Sequence, residues 1–211
     1  MIYPRYNINN KKIIKNFFSK KVLIEDLVKK FNNHTGLKNT IPLNFARTGL
    51  FYAIKKIILK DKNEILLSPF TIFDIVNVVI CAGGKPKFID LNDNNPHISK
   101  KKIEENLTSN TAGVLITHYH NVNPEAEDII DYCNSKNIKI IEDCAISLGG
   151  KYNKSFSHVG SKSDYSIFSF GVFKTISTVS GGILNIKKNE EYKEILNKVN
   201  EQRTTSFFQL L

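Results

Sequence analysis

The chain has 211 residues, 41% hydrophobic and 24% charged, with a net charge of +10. That length can bury the core of one domain or slightly more. No apolar run reaches the ~18 residues of a membrane-spanning helix, and the first ten residues lack the apolar centre of a secretion signal.

The lysines are scattered in short groups such as Lys29-Lys30, Lys55-Lys56 and Lys100 to Lys102, with no aromatic-interleaved basic stripe and no nucleic-acid motif. The charge therefore speaks against nucleic acid and is compatible with a phosphorylated ligand. Cys81, Cys133 and Cys144 show neither metal-ligand spacing nor a disulfide framework. Each has apolar neighbours, so all three are expected as reduced, buried thiols in a cytoplasmic protein with no metal site.

In chain order, residues 11–31 mix apolar and charged positions at helical spacing. Arg47 to Leu59 predicts a helix with Leu50, Ala53, Ile54, Ile57 and Ile58 on one face. Glu64 to Leu67 predicts a short strand. Asp74 to Cys81 predicts a helix closed near Gly83-Gly84. A strand at Lys87 to Asp90, a helix at Lys100 to Leu107 and a buried strand at Gly113 to Thr117 follow. Pro124 to Lys136 predicts a helix whose acidic first turn suits the helix dipole. Strands at Ile138 to Ile141, Tyr165 to Phe168 and Gly182 to Ile186 complete the series, and Glu190 to Asn200 reads as a further helical segment. Alternating strands and helices predict a three-layer αβα architecture with a mainly parallel, mixed sheet. Ligands of such sheets lie beyond the carboxyl ends of the strands.

Three segments there can carry chemistry. Asp143 follows the apolar run Ile138 to Ile141, where a carboxylate can pair with a cation or cap the next segment. Ser169 and Lys174 follow the strand at Tyr165 to Phe168, and a lysine in a partly desolvated site is a usable nucleophile. In Phe45-Ala46-Arg47-Thr48-Gly49-Leu50, at a helix start, free N–H groups can seat a phosphate. Thr48 could add a hydroxyl there or serve as an ordinary N-cap.

Together with Ser68-Pro69-Phe70-Thr71, Ala82 to Asp90, Ile141 to Ala145, Gly160-Ser161, Phe168-Ser169-Phe170, Lys174 and Gly181-Gly182, these segments resemble the sugar aminotransferases of the DegT/DnrJ/EryC1/StrS family. The resemblance implies the large domain of a fold-type I transferase dependent on pyridoxal 5′-phosphate (PLP). It implies that Lys174 holds the cofactor as a Schiff base and later moves a proton. It implies that Asp143 pairs with the ring nitrogen, that Thr48, Gly49 and Ser169 hold the phosphate, and that Phe73 (with Phe70 as rival) stacks on the ring. Lysine rather than histidine at position 174 implies transamination rather than dehydration. The implied reaction moves an amino group, from glutamate, to a keto-sugar linked to a nucleotide, in polysaccharide or amino-sugar biosynthesis. The implied assembly is a homodimer.

Two departures stand beside this. Ile146 occupies a position where the family has glutamine, and the family continues into a smaller C-terminal domain. Residues 1–40 are expected as an N-terminal helical segment, 41–190 as the PLP-binding domain and 191–211 as the start of a truncated C-terminal segment. The competing reading is a catalytically impaired remnant or partner subunit that retains the fold.

Overall fold

The computed structural model describes residues 24–91, 95–119, 122–178 and 180–208. Most of the helical spacing read at residues 11–31 lies outside the described residues. The elements run α1 (Ile24–Thr35), β1 (Thr40–Leu43), α2 (Ala46–Ile57), β2 (Glu64–Leu67), α3 (Phe73–Cys81), β3 (Lys85–Phe88) and α4 (Lys100–Asn106). They continue with β4 (Thr111–Thr117), α5 (Ala126–Ser135), β5 (Lys139–Asp143), β6 (Tyr165–Ser169), β7 (Gly182–Ile186) and α6 (Asn189–Phe208).

The seven strands form one sheet in the order β1-β7-β6-β5-β4-β2-β3. Only β7 runs against the others, pairing antiparallel with β1 and β6. The remaining pairs are parallel. Alternate residues of each strand feed opposite faces. Ile65, Leu67, Leu115, Ile141, Tyr165, Ile167 and Leu184 pack under α2, α3 and α6. Leu66, Val114, Ile116, Ile140, Phe168 and Ile183 pack under α1, α4 and α5. Both faces are covered, which is why these strands read as continuous apolar runs. The three-layer architecture expected from the sequence is the one observed.

The differences are local. β1 escapes sequence reading because it has four residues and contains Pro42, a residue that strands tolerate at a sheet edge. β3 starts two residues early because parallel pairing on β2 sets its register, Glu64 opposite Lys85. Cys133 and Cys144 are buried, but Cys81 is exposed, correcting the expectation. It shares the outward face of α3 with Phe73, Asn77 and Ile80, four and three residues apart as helical geometry requires. Among the described residues no helix is long and apolar enough to cross a membrane.

Candidate active site

A cavity of about 510 Å³ opens at the carboxyl edge of the sheet. Each neighbouring strand delivers its next residues to it. Phe45 to Arg47 follow β1, Thr71, Ile72 and Asp74 follow β2, and Thr117 to Tyr119 end β4. Asp143, Ala145 and Ile146 come from β5, and Ser169, Gly171 and Lys174 from β6, with Ser180 and Gly181 leading into β7.

Lys174 sits in the loop joining the antiparallel pair β6 and β7. Two backbone bonds pin that loop at its base: Phe170 N–H donates to Gly181 O at 3.0 Å and Thr178 N–H to Phe170 O at 2.8 Å. The residue before the lysine, Phe173, has φ of 66°. A non-glycine residue held in this region stores strain of order 1 kcal/mol, and such residues cluster at functional sites. Ser169 Oγ accepts from Gly171 N–H at 3.3 Å, which fixes the start of the same loop.

Asp143 ends β5 and is buried. Its Oδ1 accepts from Ala145 N–H at 3.0 Å, so the carboxylate caps a turn and also lines the cavity. Burial pushes its pKa up, with the Ala145 N–H and the charge of Lys174 acting against that. A folded-state pKa above the unfolded one means that ionising Asp143 costs stability. The cost is absent below the ordinary carboxylate range and grows as pH rises through the folded value. Asp143→Asn keeps an oxygen for Ala145 and removes the buried charge. It is expected to stabilise the ligand-free chain by about 1 kcal/mol at neutral pH. Urea unfolding at pH 4 and pH 7.5 checks this, with the gain confined to the higher pH.

Behind Asp143 lies a buried polar cluster that the sequence reading did not single out. His118 Nδ1 accepts the Asn123 N–H at 3.1 Å, so the ring hydrogen is on Nε2 and donates to Glu142 Oε1 at 2.8 Å. Tyr152 Oη lies 2.8 and 2.7 Å from the two Glu142 oxygens and accepts from Gly160 N–H at 3.1 Å. Burial pushes the Glu142 pKa up, but hydrogen bonds from His118, Ser163 and Tyr152 carry it below the usual carboxylate range. That contribution to stability is present above the unfolded value and lost as pH falls. The cluster ties the ends of β4 and β5 together, and His118 N–H donates to the Asp143 carbonyl at 3.1 Å. The only advance signal was a histidine and a glutamate, each at the end of an apolar strand.

Several sequence-read residues meet in the cavity and others do not. Lys174, Asp143 and Ser169 line it together, as does Ile146. Thr48 and Gly49, expected as the phosphate seat, are not among the lining residues. The helix begins earlier, with Phe45 as N-cap making no side-chain cap bond, so Phe45, Ala46 and Arg47 form the wall. Gly49 faces the sheet instead, where an added Cβ would lie 3.0 Å from Leu184 Cβ and 3.2 Å from Leu43 Cδ1. Its missing side chain lets α2 approach β7. Phe73, expected to stack on the ring, is not among the lining residues either. As the first residue of α3 it points outward, 74% exposed, while Ile72 lines the cavity. Phe70 packs on Tyr119, ring centres 4.5 Å apart, and Tyr119 lines the cavity together with Phe45.

A mostly parallel seven-stranded sheet with a lysine and a buried aspartate at its carboxyl edge defines the large-domain fold of the fold-type I PLP-dependent transferases. The chain belongs to the DegT/DnrJ/EryC1/StrS aminotransferase family, whose model matches residues 10–205. It is 31% identical over 169 residues to the UDP-4-amino-4,6-dideoxy-N-acetyl-beta-L-altrosamine transaminase of Campylobacter jejuni, covering 79% of this chain and 43% of that protein. It is 28% identical to the GDP-perosamine synthase of Escherichia coli O157:H7, covering 79% and 45% respectively. The chain thus spans less than half the length of these relatives. Its fold matches that of PseC, a Helicobacter pylori aminotransferase involved in the biosynthesis of pseudoaminic acid. The TM-score there is 0.78 at 22% identity, covering 87% of this chain and 50% of that one.

Proposed function

We propose that this chain carries the PLP site of an aminotransferase acting on a nucleotide-linked keto-sugar, with glutamate as amino donor. The observation that carries the reading is the convergence of Lys174, Asp143 and an uncapped helix start on one cavity. The donor set suits the cofactor: an amine for its aldehyde, a buried carboxylate for its ring nitrogen, and a positive helix end beside Ser169 for its phosphate. Bound PLP supplies an electron sink for the carbon that loses its proton.

The chain's own groups do the rest. Lys174 Nζ would attach the cofactor and, once released, would take the proton from the substrate carbon and return it on the cofactor side. Asp143 would accept a hydrogen bond from the ring N–H and keep that nitrogen protonated. A cationic ring beside it would offset the burial that raises the Asp143 pKa. The Glu142, His118 and Tyr152 cluster holds the Asp143 backbone in place. Ile146 meets the cavity with no hydrogen-bonding group, so the ring hydroxyl is held otherwise than by a side chain at that position.

A homodimer is part of the proposal. The exposed apolar residues Ile72, Phe73, Val172, Phe173 and Ile176 lie beside the cavity's lining segments, the kind of surface that association covers. The proposed setting is cytoplasmic biosynthesis of an amino sugar.

The test is product analysis. The PLP-loaded chain, given 15N-glutamate and a nucleotide-linked keto-sugar, is expected to yield the 15N-amino sugar and 2-oxoglutarate. PLP capture at Lys174 without transfer across a panel of such sugars would favour the second reading, a cofactor-binding subunit without turnover. Ile146 is the observation that favours it.

A further inference from the structure

Arg47, the second residue of α2, lies on the cavity wall. Its guanidinium is held from two sides. Nη1 donates to Asp74 Oδ2 at 2.7 Å, and Cζ lies 4.7 Å from the centre of the Phe45 ring. The Asp74 bond uses one of five donors, and the planar fork of the remainder matches phosphate oxygens.

The surroundings favour an anion at this end of the cavity. The N-cap of α2, Phe45, and the N-cap of α3, Ile72, both line it, and neither makes a side-chain cap bond. Two positive helix ends therefore face the same space. Asp74 alone would repel a phosphate there, and its pairing with Arg47 neutralises it. The pair explains little as a stabilising bridge. Its side chains are 51% and 36% exposed, and exposed pairs add little to folding. Thr48, the hydroxyl expected for this role, is not on the wall.

On the reading of the cavity as a PLP site, we propose that Arg47 is its phosphate-binding cation, oriented by Asp74 and the Phe45 ring. The ligand chemistry is a phosphate monoester, and the cofactor is its source. A diphosphate of the nucleotide-linked substrate is the other source that this chemistry admits.

The test compares PLP with pyridoxal, which lacks the phosphate. The 211-residue chain is titrated with each aldehyde and reduced with borohydride, and incorporation at Lys174 is read by peptide mass spectrometry. The parent chain is expected to capture PLP at far lower concentration than pyridoxal. Arg47→Gln is expected to raise the half-saturating PLP concentration at least tenfold and leave pyridoxal within twofold. Arg47→Lys should recover part of the loss, and Thr48→Ala should change neither. An unchanged PLP-to-pyridoxal preference in Arg47→Gln overturns the proposal, as does an equal loss for both aldehydes. A fall in calorimetric UDP binding with PLP capture intact assigns Arg47 to the substrate diphosphate and also overturns it. If the parent chain captures neither aldehyde, the reading of the cavity itself fails. If it captures both without preference, only the role of Arg47 fails.

Discussion

Lys174→Ala is expected to abolish the visible absorbance that appears when PLP is added to the parent chain, and to remove the borohydride-fixed mass addition. Transfer activity should fall by at least about 10³-fold, because the substitution removes both the covalent attachment and the proton carrier. The loop geometry makes the effect specific to this amine. Lys174 is half-buried beside Asp143, behind a strained Phe173, on a loop pinned between Phe170 and Gly181. Among the described residues no other lysine lines the cavity. The fold should be nearly unaffected, with a change within about 0.5 kcal/mol by urea unfolding, because no packed side chain is removed from the core. Persistence of the absorbance in Lys174→Ala would place the attachment at another amine and refute the assignment.

Gly182→Ala should be the most damaging single-methyl addition at the site. An added Cβ would lie 2.4 Å from Ala46 N, 2.6 Å from Ala46 Cα and 2.9 Å from Phe45 C. Those are backbone atoms and cannot rotate aside. Gly182 pairs with Leu43 on one side and Ser169 on the other, so β7 cannot retreat without breaking two ladders. The start of α2 would have to lift, which destabilises the fold by about 3 kcal/mol and displaces the wall that Ala46 and Arg47 provide. Urea unfolding checks the first effect and PLP titration the second. Gly149→Ala is the control. Its φ of 86° strains an alanine, but nothing lies within 4 Å, so about 1 kcal/mol is expected. Equal losses for the two variants would show that backbone strain, not the close approach to Ala46, sets the cost at Gly182.

Most of the fold was legible because the strands are buried on both faces. Apolar runs such as Val114 to Ile116 and Ile138 to Ile141 mark themselves without reference to their partners. Helix α2 announced its inner face through Leu50, Ala53, Ile54 and Ile57. The position of β1 was not legible, because four residues with a proline become a strand only when β7 lies beside them.

At the site, Asp143, Ser169 and Lys174 were readable as polar residues at the ends of apolar strands. Thr48, Gly49 and Phe73 lie one residue or one helix face away from the residues that line the cavity. A helix that starts at Ala46 rather than Arg47 turns Gly49 toward the sheet, and a helix that starts at Phe73 turns that ring to solvent. Such boundaries depend on local hydrogen bonds, here Thr48 N–H to Phe45 O and Ile75 N–H to Ile72 O.

The sequence by itself determined the layer architecture and that Asp143, Ser169 and Lys174 follow apolar strands, because burial periodicity and residue chemistry are local properties. Only the tertiary structure decided that Arg47 and not Thr48 lines the cavity wall, and that Glu142, His118 and Tyr152 brace Asp143. Those outcomes depend on contacts across strands that are neighbours in space and far apart in the chain, and no local pattern encodes them.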